Sequence, residues 1–121
     1  KPIAVTAGGN HLKNASANHG DAGLDQITPI HLLGNKHVVL RGLANHPNDY
    51  IMFIAVEDGT DISINGTGVL SNGSAGESGT YSMVGIANQP GEPFVVESNK
   101  PIYVYQATTG SLGNEPEMLM V

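Results

Sequence analysis

Carboxylate and imidazole side chains that could coordinate a cation occur close together near the amino terminus. His19, Asp21 and Asp25 lie within one polar stretch of the chain. Imidazole nitrogens and carboxylate oxygens are common ligands of divalent cations. We therefore treat these three residues as candidate metal ligands, with calcium as the cation. Solvated side chains on an exposed loop explain the same residues without any metal.

The polar stretch around these residues extends from Gly8 to Leu24 and is rich in asparagine and histidine. Its polarity predicts a long loop, and loops of more than about 12 residues are often functional. We predict that this loop binds a ligand. The candidate ligand-binding residues are Asn10, His11, Asn14, Asn18, His19, Asp21 and Asp25.

A second acidic motif, Asp58-Gly59-Thr60-Asp61, superficially resembles a calcium loop. Calcium loops of the EF-hand type alternate oxygen ligands and end in a distant glutamate. Here Ile62 and Ile64 alternate with polar residues directly after the motif, which indicates a strand. We therefore predict a hairpin turn at Asp58-Gly59, because this dipeptide readily adopts the positive φ angles that such turns need.

The sequence contains no motif typical of a catalytic site. Its five histidines show no His-Glu-x-x-His spacing. Gly73-Ser74-Ala75-Gly76 falls short of the Gly-x-Ser-x-Gly elbow of serine hydrolases. The acidic residues that occur in pairs flank turns, rather than converging as glycoside hydrolysis requires. We predict that the protein is not an enzyme and needs no cofactor, with calcium in the polar loop as the open alternative.

Composition limits the partners of this chain of 121 residues. Its net charge is −6, and its five basic residues are scattered along the sequence: Lys1, Lys13, Lys36, Arg41 and Lys100. Without a basic patch, binding to nucleic acid or to an anionic membrane surface is not expected. The absence of cysteine excludes disulfides, thiolate metal sites and a cysteine nucleophile. The longest apolar run, Tyr50–Val56, is far shorter than the roughly 20 residues of a membrane span, so no membrane insertion is predicted.

Short β-rich runs bounded by turn residues predict an all-β fold, a two-layer antiparallel β-sandwich. Its topology, jelly-roll or immunoglobulin-like, is left open. We predict that Tyr50–Val56 is a central strand covered on both faces, that His37 has a cross-strand role, and that Asn65-Gly66 and Asn72-Gly73 are turns. The predicted strands are Ile3–Thr6, His37–Leu40, Tyr50–Val56, Asp61–Asn65, Gly79–Met83, Pro93–Glu97, Ile102–Gln106 and Glu117–Val121.

A short repeat links the two ends of the chain. Lys1-Pro2-Ile3-Ala4-Val5 returns almost unchanged as Lys100-Pro101-Ile102-Tyr103-Val104. Proline is tolerated at the start of a strand and excluded from its interior, so both copies are predicted to begin strands. We interpret residues 1–121 as a single β-sandwich module excised from a longer, multi-domain surface protein.

Six segments taken in chain order carry a family resemblance: Lys1–Gly8, Asp25–Ile30, Gly34–Leu40, Ala55–Gly66, Lys100–Gln106 and Asn114–Met118. Together they resemble the IgGFc-binding protein N-terminal domain family. Mammalian members carry cysteines before the segment that matches Asp25–Ile30, and this chain has none there. It is therefore more similar to the bacterial branch found in large surface proteins of the adhesin type.

The resemblance implies a non-enzymatic extracellular module that serves in binding or adhesion, or as a stalk. The expected location is the cell surface. The expected partners are an extracellular protein or glycan ligand and the neighbouring domains of the same chain. The alternative is a carbohydrate-binding module, assisted by calcium in the Asn10–Asp25 loop.

Overall fold

Strands dominate the secondary structure of the described residues, which are 3–12, 21–41, 49–83, 91–109 and 116–121 of the computed structural model. One short 3-10 helix, Ile30–Leu32, accompanies them. The strands are β1 Thr6–Leu12, β2 Asp21–Gln26, β3 Lys36–Leu40, β4 Tyr50–Ala55, β5 Thr60–Ile64, β6 Thr67–Gly73, β7 Ser78–Ser82, β8 Pro93–Ser98, β9 Ile102–Thr109 and β10 Pro116–Met120.

Two four-stranded sheets form the body of the domain. Sheet I has the strand order β10-β9-β4-β7, and sheet II has the order β3-β8-β5-β6. All of the pairings within them are antiparallel. β1 and β2 form a separate two-stranded sheet, and β2 lies against β10. The predicted antiparallel β-sandwich is confirmed.

The hydrophobic core lies between sheets I and II, because alternate side chains of each strand point inward. In β4, Ile51, Phe53 and Ala55 are buried, and the residues between them are partly exposed. Burying one large apolar side chain contributes about 1.5–3 kcal/mol. Both sheets contribute to the buried cluster, which comprises Val39, Ile51, Phe53, Ile62, Ile64, Met83, Phe94, Val96, Ile102 and Val104.

β4 occupies the central position predicted for it, between β9 and β7. Its coverage differs from the prediction, because one face is buried in the core and the other is only partly covered. An apolar residue at every position therefore reflects one core face and one partly exposed apolar face.

The predicted hairpin at Asp58-Gly59 is wrong. Gly59 does adopt the expected positive φ of 73°. However, β4 belongs to sheet I and β5 to sheet II, so the turn is a crossover between the two layers. A dipeptide that favours positive φ predicts a change of chain direction, and it does not specify which strands pair afterwards.

The hairpin lies one turn later, between β5 and β6. Asn65 and Gly66 have φ values of 49° and 78°, and they join the paired residues Ile64 and Thr67. Positive φ at both central residues is the property of a type I′ turn. The predicted turn at Asn65-Gly66 is thus confirmed. Strand β6 was not predicted, because glycine and polar residues interrupt its alternation.

The second predicted turn, Asn72-Gly73, is instead part of a β-bulge at the end of β6. Thr60 pairs with Gly73, and Ile62 pairs with Leu70, so β6 has one more residue than β5 over this interval. Asn72 takes the positive φ of 51° in the bulge. A bulge uses the same backbone conformation as a turn, which is why the dipeptide predicted the wrong feature.

The structure differs from two predictions, the strand at Ile3–Thr6 and the loop at Gly8–Leu24. The strand begins at Thr6 and runs to Leu12. Residues 8–12 and 21–24, predicted as loop, lie in the paired strands β1 and β2, and residues 13–20 lie outside the described residues. Backbone pairing does not require the side-chain alternation on which the prediction relied.

The absence of a side chain at Gly79 leaves room for the ring of Phe53 on the neighbouring strand. A Cβ atom on Gly79 would lie 2.6 Å from Cζ of Phe53, its cross-strand partner. We expect Gly79→Val to lower the free energy of unfolding by about 1–3 kcal/mol, the usual cost of overpacking. Gly68→Val is the matched control, because a Cβ there meets nothing within 4 Å. Urea unfolding of both variants measures the difference; equal losses would contradict the packing role of Gly79.

Candidate functional site

The predicted ligand-binding residues fall on the two-stranded sheet and on the segment between its strands. Asn10 and His11 are in β1, and Asp21 and Asp25 are in β2. The strand places Asp21 and Asp25 roughly 13 Å apart along the backbone. The remaining predicted residues, Asn14, Asn18 and His19, lie outside the described residues. The ligand-binding loop and its calcium ion therefore stay predictions.

His37 is a described histidine whose side-chain contacts are structural. Nδ1 of His37 lies 3.1 Å from the carbonyl oxygen of Val121, and Nε2 lies 3.2 Å from that of Gly34. His37 therefore links β3 to the end of β10, as its predicted cross-strand role requires. Among the residues whose side chains are described, no group of three His, Asp or Glu is close enough to hold a metal ion.

The acidic motif at 58–61 makes hydrogen bonds that stabilise the fold. We call this hydrogen-bonded group the crossover clamp; it consists of Asp58, Gly59, Asp61, Asn99 and Lys100. The amide of Asn99 donates to the carbonyl of Gly59 and to Oδ2 of Asp61, both at 3.1 Å. Its Oδ1 accepts the backbone N–H of Asp61 at 2.8 Å. Lys100 donates to the carbonyl of Asp58. These bonds join the β4–β5 crossover to the adjacent β8–β9 crossover.

Sheet I presents an aromatic surface on the side that faces away from the core. We call it the tyrosine face; it consists of Tyr50, Met52, Ile54, Tyr103 and Tyr105. Cross-strand pairing places Met52 opposite Tyr105 and Ile54 opposite Tyr103. All five residues are partly exposed. Three of the four tyrosines of the chain are therefore on one outward face.

Two of the tyrosine side chains, those of Tyr103 and Tyr105, make contacts within the domain. The rings of Tyr103 and Tyr105 stack with centroids 6.3 Å apart and an interplanar angle of 21°. The hydroxyl of Tyr103 donates to the carbonyl of Thr28 at 2.6 Å. Tyrosine combines a large apolar ring with a polar tip, and it is enriched in protein interfaces for this reason.

A row of hydroxyl groups borders the tyrosine face along the edge strand β7. Ser78, Thr80 and Ser82 are exposed. They pair with Ile54, Met52 and Tyr50 respectively, so they share the outward face of sheet I. An aromatic centre with a small polar border has the composition of a protein-binding patch.

A shallow groove of about 440 Å³ lies against strands β8, β5 and β6 of sheet II. The residues that line it include Asp61, Ser63, Gly68, Leu70, Glu97 and Asn99. Both carboxylate oxygens of Asp61 accept internal hydrogen bonds, and Oε1 of Glu97 accepts one from Lys36 at 2.7 Å. Because its acidic groups are engaged within the protein, the groove is a weaker candidate for a binding site than the tyrosine face.

Comparison with known proteins identifies the family. The family described as IgGFc binding protein matches residues 1–121. The chain belongs to this family. No curated protein and no solved structure gives a significant match. The resemblance found in the sequence motifs is thereby confirmed, and the family is one of binding proteins.

The described secondary structure of this member of the IgGFc binding protein family is almost entirely β. Within the part of the chain that the structure describes, no helix has the length and apolar character needed to cross a membrane.

The tyrosine face was missed by sequence reasoning, although a pattern for it exists. In β4 and in the first part of β9, the residues that point to one face of the sheet and those that point to the other are both apolar or aromatic. Sequence reasoning interpreted this pattern in β4 as two buried faces. In a sandwich with only two layers, a strand has one face toward the core. A second apolar set therefore indicates an apolar outward face.

Proposed function

We propose that this domain is a non-enzymatic binding or adhesion module of an extracellular surface protein, and that its ligand is a protein. The observation that carries the proposal is membership of the IgGFc binding protein family over residues 1–121. The tyrosine face supports it, because its five residues are partly exposed and tyrosine is enriched in protein interfaces. A chain that is low in charge and free of cysteine supports a bacterial surface protein as the source.

Direct binding measurements test this proposal. The isolated domain is immobilised and exposed to the Fc fragment of IgG, the ligand in the family's name, and separately to intact cells. We expect saturable binding to at least one of these probes, with a Kd in the micromolar range or tighter. Absence of binding to both would replace the adhesive function by a stalk function, in which the sandwich acts as a spacer.

A carbohydrate-binding function is the second candidate, and the stacked pair Tyr103 and Tyr105 is the observation that favours it. Aromatic rings on a sheet are suitable surfaces for the apolar faces of sugar rings. A glycan array separates this function from protein binding. If calcium assists sugar binding, a chelator would also lower the melting temperature, because a ligand bound only by the folded state stabilises it.

A further inference from the structure

We propose that Asn72 is a site of spontaneous deamidation and isoaspartate formation, and that the fold protects Asn65, which occurs in the same dipeptide. Asparagine followed by glycine is the sequence most prone to this reaction, because glycine has no Cβ to shield its backbone nitrogen. The chain contains two such dipeptides, Asn65-Gly66 and Asn72-Gly73. Both asparagines are exposed, and both adopt a positive φ, of 49° and 51° respectively. Local sequence therefore does not distinguish them, and their tertiary contacts do.

The reaction requires water as its only co-reactant. The backbone nitrogen of Gly73 attacks Cγ of Asn72 and closes a five-membered succinimide ring. The bond between Cγ and the side-chain nitrogen breaks, and this nitrogen leaves as ammonia together with the proton of the attacking N–H. Water then opens the ring at either of its two carbonyl carbons. One opening gives aspartate, and the other gives isoaspartate, in which the main chain runs through the former side-chain carbon.

Contacts with strand β8 restrain the side chain of Asn65. Its Oδ1 accepts the backbone N–H of Val95 at 2.8 Å, and its own backbone N–H donates to the carbonyl of Val95 at 2.9 Å. Asn65 also lies in the tight turn between the paired residues Ile64 and Thr67. Ring closure requires the side-chain amide to turn toward the nitrogen of Gly66, which breaks the hydrogen bond to Val95 and leaves its N–H without that partner. The fold therefore opposes the reaction at Asn65.

The side chain of Asn72 has no such restraint. Its backbone N–H donates to Oδ1 of Asp61 at 2.8 Å, whereas its side-chain amide makes no hydrogen bond within the part of the chain that the structure describes. Asn72 lies in the bulge of β6, where the ladder with β5 is interrupted, and β6 is an edge strand. Weakly paired backbone of this kind opens more readily than a central strand. Local opening therefore allows the amide of Asn72 to approach the nitrogen of Gly73.

Isoaspartate at position 72 affects the crossover clamp, because it adds one carbon to the main chain between residue 72 and Gly73. On one side of this point the N–H of Asn72 donates to Asp61, which belongs to the clamp. On the other side Gly73 pairs with Thr60. A longer main chain cannot keep both contacts in their present geometry, whereas the aspartate product leaves the main chain unchanged. Isoaspartate therefore weakens the attachment of β6 to the clamp.

Peptide mapping by mass spectrometry tests the proposal on the unmodified domain. The domain is incubated in neutral buffer at 37 °C, and fragment ions from cleavage between residues 65 and 72 assign the mass increase of deamidation to one asparagine or the other. We expect conversion at Asn72 to be at least five-fold faster than conversion at Asn65. Equal rates at the two residues, a faster rate at Asn65, or no conversion at Asn72 would overturn the proposal.

The same measurement on the urea-unfolded chain is the matched control, because unfolding removes the bond between Asn65 and Val95 and leaves both dipeptides intact. We expect the two rates to become similar. A five-fold preference for Asn72 that persisted in urea would assign the difference to local sequence and contradict the role of the fold. Asn72→Gln, whose longer side chain would have to close a six-membered ring, is expected to abolish conversion at residue 72 and to leave the rate at Asn65 unchanged.

Thermal unfolding of the products tests the effect on the crossover clamp. The isoaspartate form of the aged domain is compared with the Asn72→Asp variant, which carries the same added charge on an unaltered main chain. We expect the isoaspartate form to have the lower Tm. Equal Tm values would contradict the link to the clamp, and the peptide map alone would then decide whether Asn72 is the site of deamidation.

Discussion

Replacement of Phe94 by alanine is expected to lower the free energy of unfolding by about 3–5 kcal/mol. Phe94 is completely buried and belongs to the cluster between the two sheets. Its ring contacts Tyr81 edge-to-face at a centroid distance of 6.5 Å, and these residues belong to different sheets. Truncation therefore removes apolar burial, leaves a cavity and breaks an aromatic contact that joins the layers.

Chemical unfolding in urea measures this loss. Small domains have a total stability of about 5–15 kcal/mol, so Phe94→Ala could be too unstable to purify. Phe94→Leu, which retains most of the apolar volume, provides a folded variant with a smaller expected loss. Val38→Ala on the neighbouring strand is the control, because Val38 is 53% exposed and such surface changes usually stay within about 0.5 kcal/mol. A loss for Phe94→Ala no larger than that of Val38→Ala would contradict the placement of Phe94 in the core.

The strands of the core could be predicted from the sequence because their side chains alternate. β3, β4, β5, β7, β8, β9 and β10 each overlap a predicted strand. In β5, for example, Ile62 and Ile64 are buried, and the preceding Asp61 is exposed. Burial of one face imposes period two on the sequence, and that period is what the prediction detects.

The elements that were not predicted lack a regular alternation of apolar and polar residues in the sequence. β1 and β2 contain several glycines and polar residues, and they pair only with each other. β6 has glycine at both Gly68 and Gly73 and lies at the edge of sheet II. In neither case does the sequence carry a periodic apolar set, so no local pattern distinguishes these strands from loops.

The layer to which each strand belongs could not be predicted for a different reason. Asp58-Gly59 and Asn65-Gly66 are similar turn sequences, and both adopt positive φ at glycine. The first crosses between sheets, and the second closes a hairpin. Long-range pairing decides between these outcomes, through contacts such as those of Asn99, 38 residues after Asp61 in the chain.

The tyrosine face depends on the same long-range information. Tyr50 and Tyr105 lie on strands that are far apart in sequence, and only the pairing of β4 with β9 brings their two rows together. The sequence identified the family through short motifs, and those motifs carry no information on which face is outward. The candidate loop at 8–24 was selected for its polarity and its length, whereas the tyrosine face is distinguished by apolar residues in partly exposed positions.

The crossover clamp provides the second large expected effect. Asn99→Ala removes three hydrogen bonds to Gly59 and Asp61. Each hydrogen bond contributes about 0.5–1.5 kcal/mol, and water partly replaces those at exposed groups. We expect Asn99→Ala to lower the free energy of unfolding by about 2 kcal/mol, measured by urea unfolding.

Two variants show whether the clamp itself is responsible for that loss. Asn35→Ala is the matched control, since Asn35 is also exposed and contacts Ser98 through its backbone carbonyl; it is expected to change stability by less than about 0.5 kcal/mol. Asn99→Asp keeps the shape and places a second carboxylate beside Oδ2 of Asp61, where the amide now donates. Like charges in contact are unfavourable, so Asn99→Asp should cost at least as much as Asn99→Ala at neutral pH. If Asn99→Asp were as stable as the unmodified domain, the amide of Asn99 would not hold the two crossovers together.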